Sequence, residues 1–290
     1  MTHMERVLSL RHAGFLGNLG AGLMILCVLA SLLPMAVPVR QNVAPNLGQR
    51  LQPPSWLGGR GDFILGSDQL GREVLHRLLK GLRTSLVIGA VAASVAAVVG
   101  TTLGLASGYA AGISDALLMR LVDIQLSFPF LLMAITIIAV LGHGIVNVLL
   151  ILILWGWATF ARFARGEVLS LREGDFVQAS YALGAGPARI VWRHLLPNVL
   201  PRMAVVWTYM VAQMAIGEGS LSFLGLGVEE PTVSLATMIN DGRVHLSTAW
   251  WVATFPGIAL MVLILGVNFL GDGLADRFNP KFRRGGVRLI

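Results

Sequence analysis

Between Thr84 and Ser114 the chain carries no charged residue, and neither does the stretch from Ile124 to Ala161. A third such run lies between Arg11 and Arg40. Runs of this length constrain folding more than any short motif can. About 20 apolar residues cross the hydrocarbon core of a bilayer as one helix, and inside that core the backbone must satisfy its own hydrogen bonds. Composition agrees with this reading. Charged residues make up 13% of the chain, against roughly 25% in soluble domains, and the mean hydropathy is +0.73. The expectation is an all-α, polytopic membrane protein with little mass outside the bilayer.

Six spans follow from the pattern. The first centres on GNLGAGLMILCVLASLLPMAV and contains the only cysteine, Cys27, which reads as filler and forms no metal pattern. A cleaved signal peptide is the rival reading, but its apolar region would exceed the usual ~7–15 residues, which favours a retained anchor. The second span fills Thr84–Ser114, where Ala92, Ala96, Gly100, Gly104, Gly108 and Gly112 recur every four positions. Such a face admits close approach of another helix, within the subunit or between subunits. Asp115, Arg120 and Asp123 read as a short charged loop. The 38 uncharged residues that follow are interrupted by Gly142-His143-Gly144 and read as two spans joined by a tight hairpin. His143 belongs to the hairpin tip in this reading and is not a proton carrier. The fifth span runs from about Val199 to Gly217 and the sixth from about Ala249 to Leu270. Between them VEEPTVSLATMINDGRVH is polar and reads as a loop that folds back at the membrane.

The chain therefore divides into residues 1–83, an N-terminal span with an external segment, and residues 84–290, the main transmembrane unit. The external segment is rich in proline and glycine and ends in an amphipathic stretch. There Leu70, Val74, Leu75, Leu78, Leu79 and Leu82 recur at helical spacing against Arg72, Glu73, His76, Arg77 and Lys80. That is the pattern of a helix lying at the headgroup surface before the second span. Six spans put both termini on one side. Of the 22 lysines and arginines, 14 lie on that side with the 162–202 loop and 8 on the other, so both termini are expected in the cytoplasm. The net charge of +7 reflects this flanking pattern and not a nucleic-acid surface. Arg162, Arg165, Arg193 and Arg202 read as anchors at span ends.

One stretch of the 162–202 loop has more shape than a linker needs. FVQASYALGAGPARIVWRHLLPNVLP, Phe176–Pro201, reads as a helix to about Leu183, broken by Gly184-Ala185-Gly186-Pro187. Glycine suits the position past a helix end and proline the first turn of the next. A second short helix is expected from Pro187 to Leu196, stopping before Pro197. Its middle is built from small side chains, a knob that can enter a groove on another protein.

The chain shows no nucleotide-binding or catalytic motif of its own. Lys80 and Lys281 are its only lysines, and neither sits in a G-x-x-x-x-G-K-[ST] phosphate loop. No H-E-x-x-H, G-x-S-x-G or paired-cysteine motif occurs, so catalytic and metal-ligating residues are expected to be absent. An ion-coupled carrier would show buried ionisable residues mid-span. The candidates are Glu218 and Asn268, and Glu218, beside Gly217 and Gly219 near the outer end, reads as structural.

These stretches resemble a permease subunit of a bacterial ABC importer of the oligopeptide/dipeptide/nickel type. Such permeases carry a cytoplasmic loop with the pattern E-A-A, three residues, Gly, nine residues, then I-x-L-P. Here Gln178-Ala179-Ser180, Gly184 and His194-Leu195-Leu196-Pro197 stand at those positions with the spacing kept. FILGSDQLGREVLHRLLKGLRTSL, SLSFLGLGVEEPT and NFLGDGLADRFNPKFR are similar to three further stretches of one of the two paired permeases of peptide importers. Leu235-Ala236 departs from the Trp-Gly of many relatives. The resemblance covers about residues 63–284.

The resemblance implies a type I importer-like fold in a bacterial plasma (inner) membrane. It implies a homologous second permease, two ATPase subunits that use ATP and magnesium, and an extracytoplasmic substrate-binding protein. This chain would bind no cofactor. The ATPase contact is expected at Phe176, Gln178, Ala179, Ser180, Leu183, Gly184, Ala185, Arg189 and Pro197, and the translocation path at Gln213, Met214 and Glu218. The expected cargo is a short peptide. Nickel-chelate, glutathione or another small solute is the alternative within the class, and an ion-coupled carrier is the alternative outside it.

Overall fold

The computed structural model describes residues 3–36, 46–59, 61 and 63–278. Arg40, Pro45, Arg60 and the chain from Asn279 onward lie outside the described residues, as do the side chains of Arg6 and Arg11. With them go part of the charge asymmetry and the end of the C-terminal signature.

Among the described residues the long elements are helices: α1 His3–Ala36, α2 Val74–Ala110, α3 Gly112–Ser127, α4 Phe130–Leu141, α5 Ile145–Arg172, α6 Asp175–Ala182, α7 Pro187–Ile190, α8 Leu196–Phe223, α9 Leu235–Gly242 and α10 Trp251–Phe278. Five stretches of the described residues are long and apolar enough to cross a membrane, and the α3–α4 pair makes a sixth if the two count as one bent span.

The six-span expectation holds in this form, with a correction to the third. The stretch 115–123 is not a loop but part of α3, and α4 has only 12 residues. At about 1.5 Å per residue it reaches roughly 18 Å, short of a ~30 Å core. The two helices meet at 91°. Pro129 explains the break, because the residue before a proline is pushed out of the helical region, and Phe128 is extended at φ −79°, ψ 128°. The hairpin tip at Gly142-His143-Gly144 is as expected. Asn147 ties it by donating to the carbonyls of Leu141 and Gly142 at 3.0 and 2.9 Å.

Close backbone approach holds the long helices together. A side chain at Gly100 would clash with the Trp157 carbonyl and one at Gly104 with that of Ala161, while at Gly108 it would stand 2.9 Å from Val168 Cβ. The stripe of small residues on α2 thus seats α5 of the same subunit, in parallel register. A second close contact joins α1 and α10, where Gly17 faces Gly273 and Gly20 faces Phe269–Leu270, in antiparallel register. Ile88, Ile151, Leu152, Phe160 and Met214 fill the space between α2, α5 and α8 and are fully buried.

These registers sort the helix ends into two sets. One holds the starts of α2, α5 and α10, the end of α8, and α9. The other holds the ends of α2, α5 and α10, the starts of α1 and α8, and α6–α7. The described ends of α1 and α10 therefore lie at the α6–α7 end, as an even number of crossings requires.

Two expectations at the end of the molecule away from α6–α7 are overturned. The amphipathic stretch is not a separate interfacial helix. From Val74 on it is the first turns of α2, which runs unbroken through residues 83 and 84, while Leu70–Glu73 form the turn before that helix. Nor do Arg72 and Arg77 reach for headgroups, since each is only 9% exposed and ion-paired inside the protein. Burying charge without a partner costs several kcal/mol, so basic residues on an apolar helix face signal nearby carboxylates as readily as lipid.

Gly100→Ala is expected to lower stability by about 1–3 kcal/mol, because α5 must move away. Gly257→Ala, where an added Cβ meets nothing within 4 Å, is expected to stay within about 0.5 kcal/mol. Thermal unfolding of the two variants in the same detergent measures the difference.

Candidate functional site

At the end of the molecule where α5 finishes, the chain turns outward into α6 and α7. Helix α6 closes in a Schellman arrangement: the Ala185 amide donates to the Ser180 carbonyl at 3.0 Å and the Gly184 amide to the Tyr181 carbonyl at 2.9 Å. That geometry requires a left-handed residue, and Gly184 supplies it at φ +76°. Gly186 then precedes Pro187, which occupies the first turn of α7.

The knob is pinned from below by Val177, Ile190 and Leu195, all fully buried. Its upper surface is free. Phe176, Gln178, Ala179, Leu183, Gly184 and Arg189 are exposed, while Ser180 and Ala185 are half-buried. Leu183 is 88% exposed at the apex. Tyr181 stacks on Tyr109 of α2, with centroids 6.5 Å apart, so both α2 and α5 touch the knob.

The second half of the loop differs from the expected short helix. Residues Val191–Leu195 form a π-helical turn, and the helix continues as α8 through Pro197 and Pro201. The Leu196 amide donates to Val191, five residues back. A wider turn at this point gives room for the Pro197 ring, which would otherwise meet the preceding turn. Pro197 is exposed on the flank of this continuous helix.

The basic residues around the knob have specific partners. Arg165 grips Asp115 with two bonds of 2.6 Å, Arg162 pairs with Asp123, and Arg202 with Glu167. They join α3, α5 and α8 and are not merely span-end anchors. Arg193 is exposed.

The residues expected on a translocation path lie differently. Met214 and Glu218 are wholly buried within this subunit, and Gln213 is half-buried. Glu218 accepts from Ser222 at 2.7 Å and from Ser85 at 3.4 Å, and Ser85 in turn accepts the Leu235 amide at 3.2 Å. The carboxyl therefore ties α2, α8 and the start of α9 together. Leu235 and Ala236, the departing pair, are packed at this start.

A charged cluster at the opposite end of the molecule from the knob had no reading in the sequence beyond headgroup anchoring. Asp68 bonds Arg72 Nε at 2.8 Å and also pairs with Arg77. Arg72 Nη1 reaches Glu230 at 2.5 Å, and Arg77 lies 3.5 Å from both Glu230 and Asp241. Arg72, Arg77, Glu230 and Asp241 wall a cavity of about 270 Å³. Burial pushes the Asp241 carboxyl above its usual range, opposed by a hydrogen bond from Gln69 and by Arg72. Asp68 four residues before Arg72 is the local signal that could have revealed this cluster.

Residues 100–284 match the family described as the binding-protein-dependent transport system inner membrane component. The chain belongs to this family. It is 38% identical over 234 residues to a di/tripeptide transport system permease protein of Pseudomonas aeruginosa, covering 80% of this chain and 77% of that one. To a putative peptide transport system permease protein of Brucella abortus it is 35% identical over 277 residues, with 96% and 91% coverage. To a glutathione transport system permease protein of Shigella flexneri it is 41% identical over 218 residues, with 75% and 72% coverage. In fold it is similar to a chain of the MetNI methionine ABC transporter, with a TM-score of 0.59 at 22% identity, over 70% of this chain and 96% of that one. The chain is thus a multi-pass inner-membrane component with the fold of an ABC importer permease.

Asp68→Asn leaves two buried guanidiniums short of their shared carboxylate. It is expected to cost about 3–5 kcal/mol, seen as a lower midpoint of thermal unfolding in detergent.

Proposed function

We propose that this permease forms one half of the pore of an ATP-driven importer of short peptides. The observation that supports this most directly is the knob. It is rigidly closed by Gly184, anchored by Val177 and Ile190, and presents the apolar, almost fully exposed Leu183 where none of the described residues covers it. An apolar apex on a rigid mount suits a groove on a partner. The names of the relatives from Pseudomonas and Brucella favour peptides as cargo.

In this reading two ATPase subunits, which use ATP and magnesium, receive the knobs of this chain and of a homologous second permease. An extracytoplasmic binding protein delivers cargo to the other face. The knob end, with both termini, is then cytoplasmic, in keeping with the excess of arginine and lysine on that side. Closure of the ATPases pushes α6, and the stacked Tyr109–Tyr181 pair and α5 pass the displacement to the spans. Packed helices respond by switching between discrete arrangements. The chain itself performs no covalent chemistry and needs no cofactor.

Glutathione is the second reading, because one close relative bears that name and glutathione is itself a small peptide-like acid. An ion-coupled carrier is disfavoured, since Glu218 is sealed among serines and faces no open space.

Leu183→Asp is expected to leave stability within about 0.5 kcal/mol, as surface changes do, while abolishing peptide uptake and binding-protein-stimulated ATP hydrolysis in proteoliposomes. Gly184→Leu forces a left-handed conformation at a cost of about 1–2 kcal/mol and is expected to lose uptake while remaining in the membrane. Wild-type uptake by both variants would refute the docking role. A complex purified without ATPase subunits would refute the importer itself.

A further inference from the structure

We propose that the Arg72–Arg77 pair is a binding site for the terminal carboxylate of a short peptide, occupied in this structure by the chain's own Glu230. The inference rests on the importer reading and deepens it. The buried guanidinium of Arg72 is not fully met by the carboxylates around it. Arg72 and Arg77 are each 9% exposed, Asp68 and Glu73 are buried with them, and Asp241 lies 3.5 Å from Arg77. Asp68 takes only Nε of Arg72, so Nη1 and Nη2 still call for an acceptor, and buried donors of a charged group favour an anion there.

Glu230 supplies that anion from outside. Its side chain is 59% exposed, and it sits on the segment between α8 and α9, which turns at Gly225 with φ +77°. Its hold on Arg72 uses half of what the guanidinium offers. Nη1 donates to Glu230 Oε1, while Nη2 is buried without a partner. Arginine binds carboxylates best through two parallel bonds, so a carboxylate free of the loop would engage both nitrogens where Glu230 engages one.

The cavity beside the pair is the right size for the end of a small solute. At about 270 Å³ it lies just under the ~300–1,000 Å³ of sites that enclose whole drug-sized ligands. Gln69 Oε1 and Asn240 Oδ1, on residues of the same wall, also lack donors. A peptide end carries amide N–H groups next to its carboxylate and matches this set. The site lies at the end of the molecule away from the knob, where cargo arrives in the importer reading.

The test uses the complete transporter in lipid nanodiscs, without its binding protein, as wild type and as Glu230→Gln. The neutral amide keeps the shape of Glu230 and gives up its charge. Saturating L-alanyl-L-alanine is expected to raise the unfolding temperature of Glu230→Gln by about 2 °C or more, and that of wild type only at higher concentration, because Glu230 competes. L-Alanyl-L-alaninamide, which lacks the carboxylate, is expected to give no shift. The readout is a ligand-dependent difference, so a lower starting temperature in the variant does not obscure it. If that variant cannot be assembled, the wild type still decides through the difference between dipeptide and amide.

Equal shifts with dipeptide and amide, or none with either, would overturn the proposal. So would an equal shift with sodium acetate, which would mark a site for any small anion. Tighter capture of the binding protein by Glu230→Gln with no effect of dipeptide would reassign the pair to protein docking and overturn the proposal as well. Uptake of the dipeptide by wild type is measured alongside. Intact uptake without a carboxylate-dependent shift removes this inference alone, whereas no uptake by a complex with active ATPases removes the peptide reading and this inference together.

Discussion

The contact between α2 and α5 is the constraint on which the rest of the structure depends. Hydrocarbon does not press apolar helices together, so their association relies on close packing of small residues. Gly100, Gly104 and Gly108 let the backbone of α5 come near enough that even a methyl group would collide. Everything functional hangs from this pair. At one end α2 carries Arg77, paired with carboxylates from other segments, and at the other Tyr109 meets the knob. Helix α5 ends at Arg172, directly before α6. At roughly 1.5 Å per residue the 37 residues of α2 span about 55 Å. One stiff element thus touches both ends of the molecule, which is the mechanical requirement for work done at one end to be felt at the other.

What could be read in the sequence was local. The break at Gly184 and the start at Pro187 depend on backbone preferences of single residues, and they stand where the sequence put them. The hairpin tip at Gly142-His143-Gly144 is legible for the same reason. Pro197 was misleading because a proline stops a regular α-helix, and the π turn at Val191–Leu195 removes that regularity. The sequence has no period that announces an extra residue in one turn. The stripe of small residues predicted a close helix contact but not its partner, since glycine shows that something approaches without showing what.

The charged cluster away from the knob was partly hidden by distance along the chain. Arg72 stands just before an apolar helix and Arg77 on its first turn, where a headgroup explanation is natural. Asp68 is a local partner of both, but Glu230, which completes the contacts of Arg72, is 158 residues away. Charge counting by loops treats every arginine as facing water or lipid. It fails where folding brings a distant acid to the same place, and the imperfect charge asymmetry of this chain was the visible trace of that failure.

The knob also departs from its family pattern in three places, and the structure connects them. Gln178, at the position of the pattern's glutamate, donates its amide to the Arg172 carbonyl at 3.1 Å, the last carbonyl of α5. A carboxylate has no hydrogen to give and could not make that bond. Ser180, at the second alanine, stands 3.5 Å from Nε2 of His194, the residue at the pattern's isoleucine. Alanine and isoleucine would meet there as an apolar pair; serine and histidine meet as a polar one. The substitutions at 180 and 194 therefore act as one exchange across the turn, and the one at 178 fastens α6 to α5. All three leave Leu183 and Gly184 at the apex in place, so the variation falls largely on how the knob is mounted, although Gln178 is itself exposed on the knob's surface.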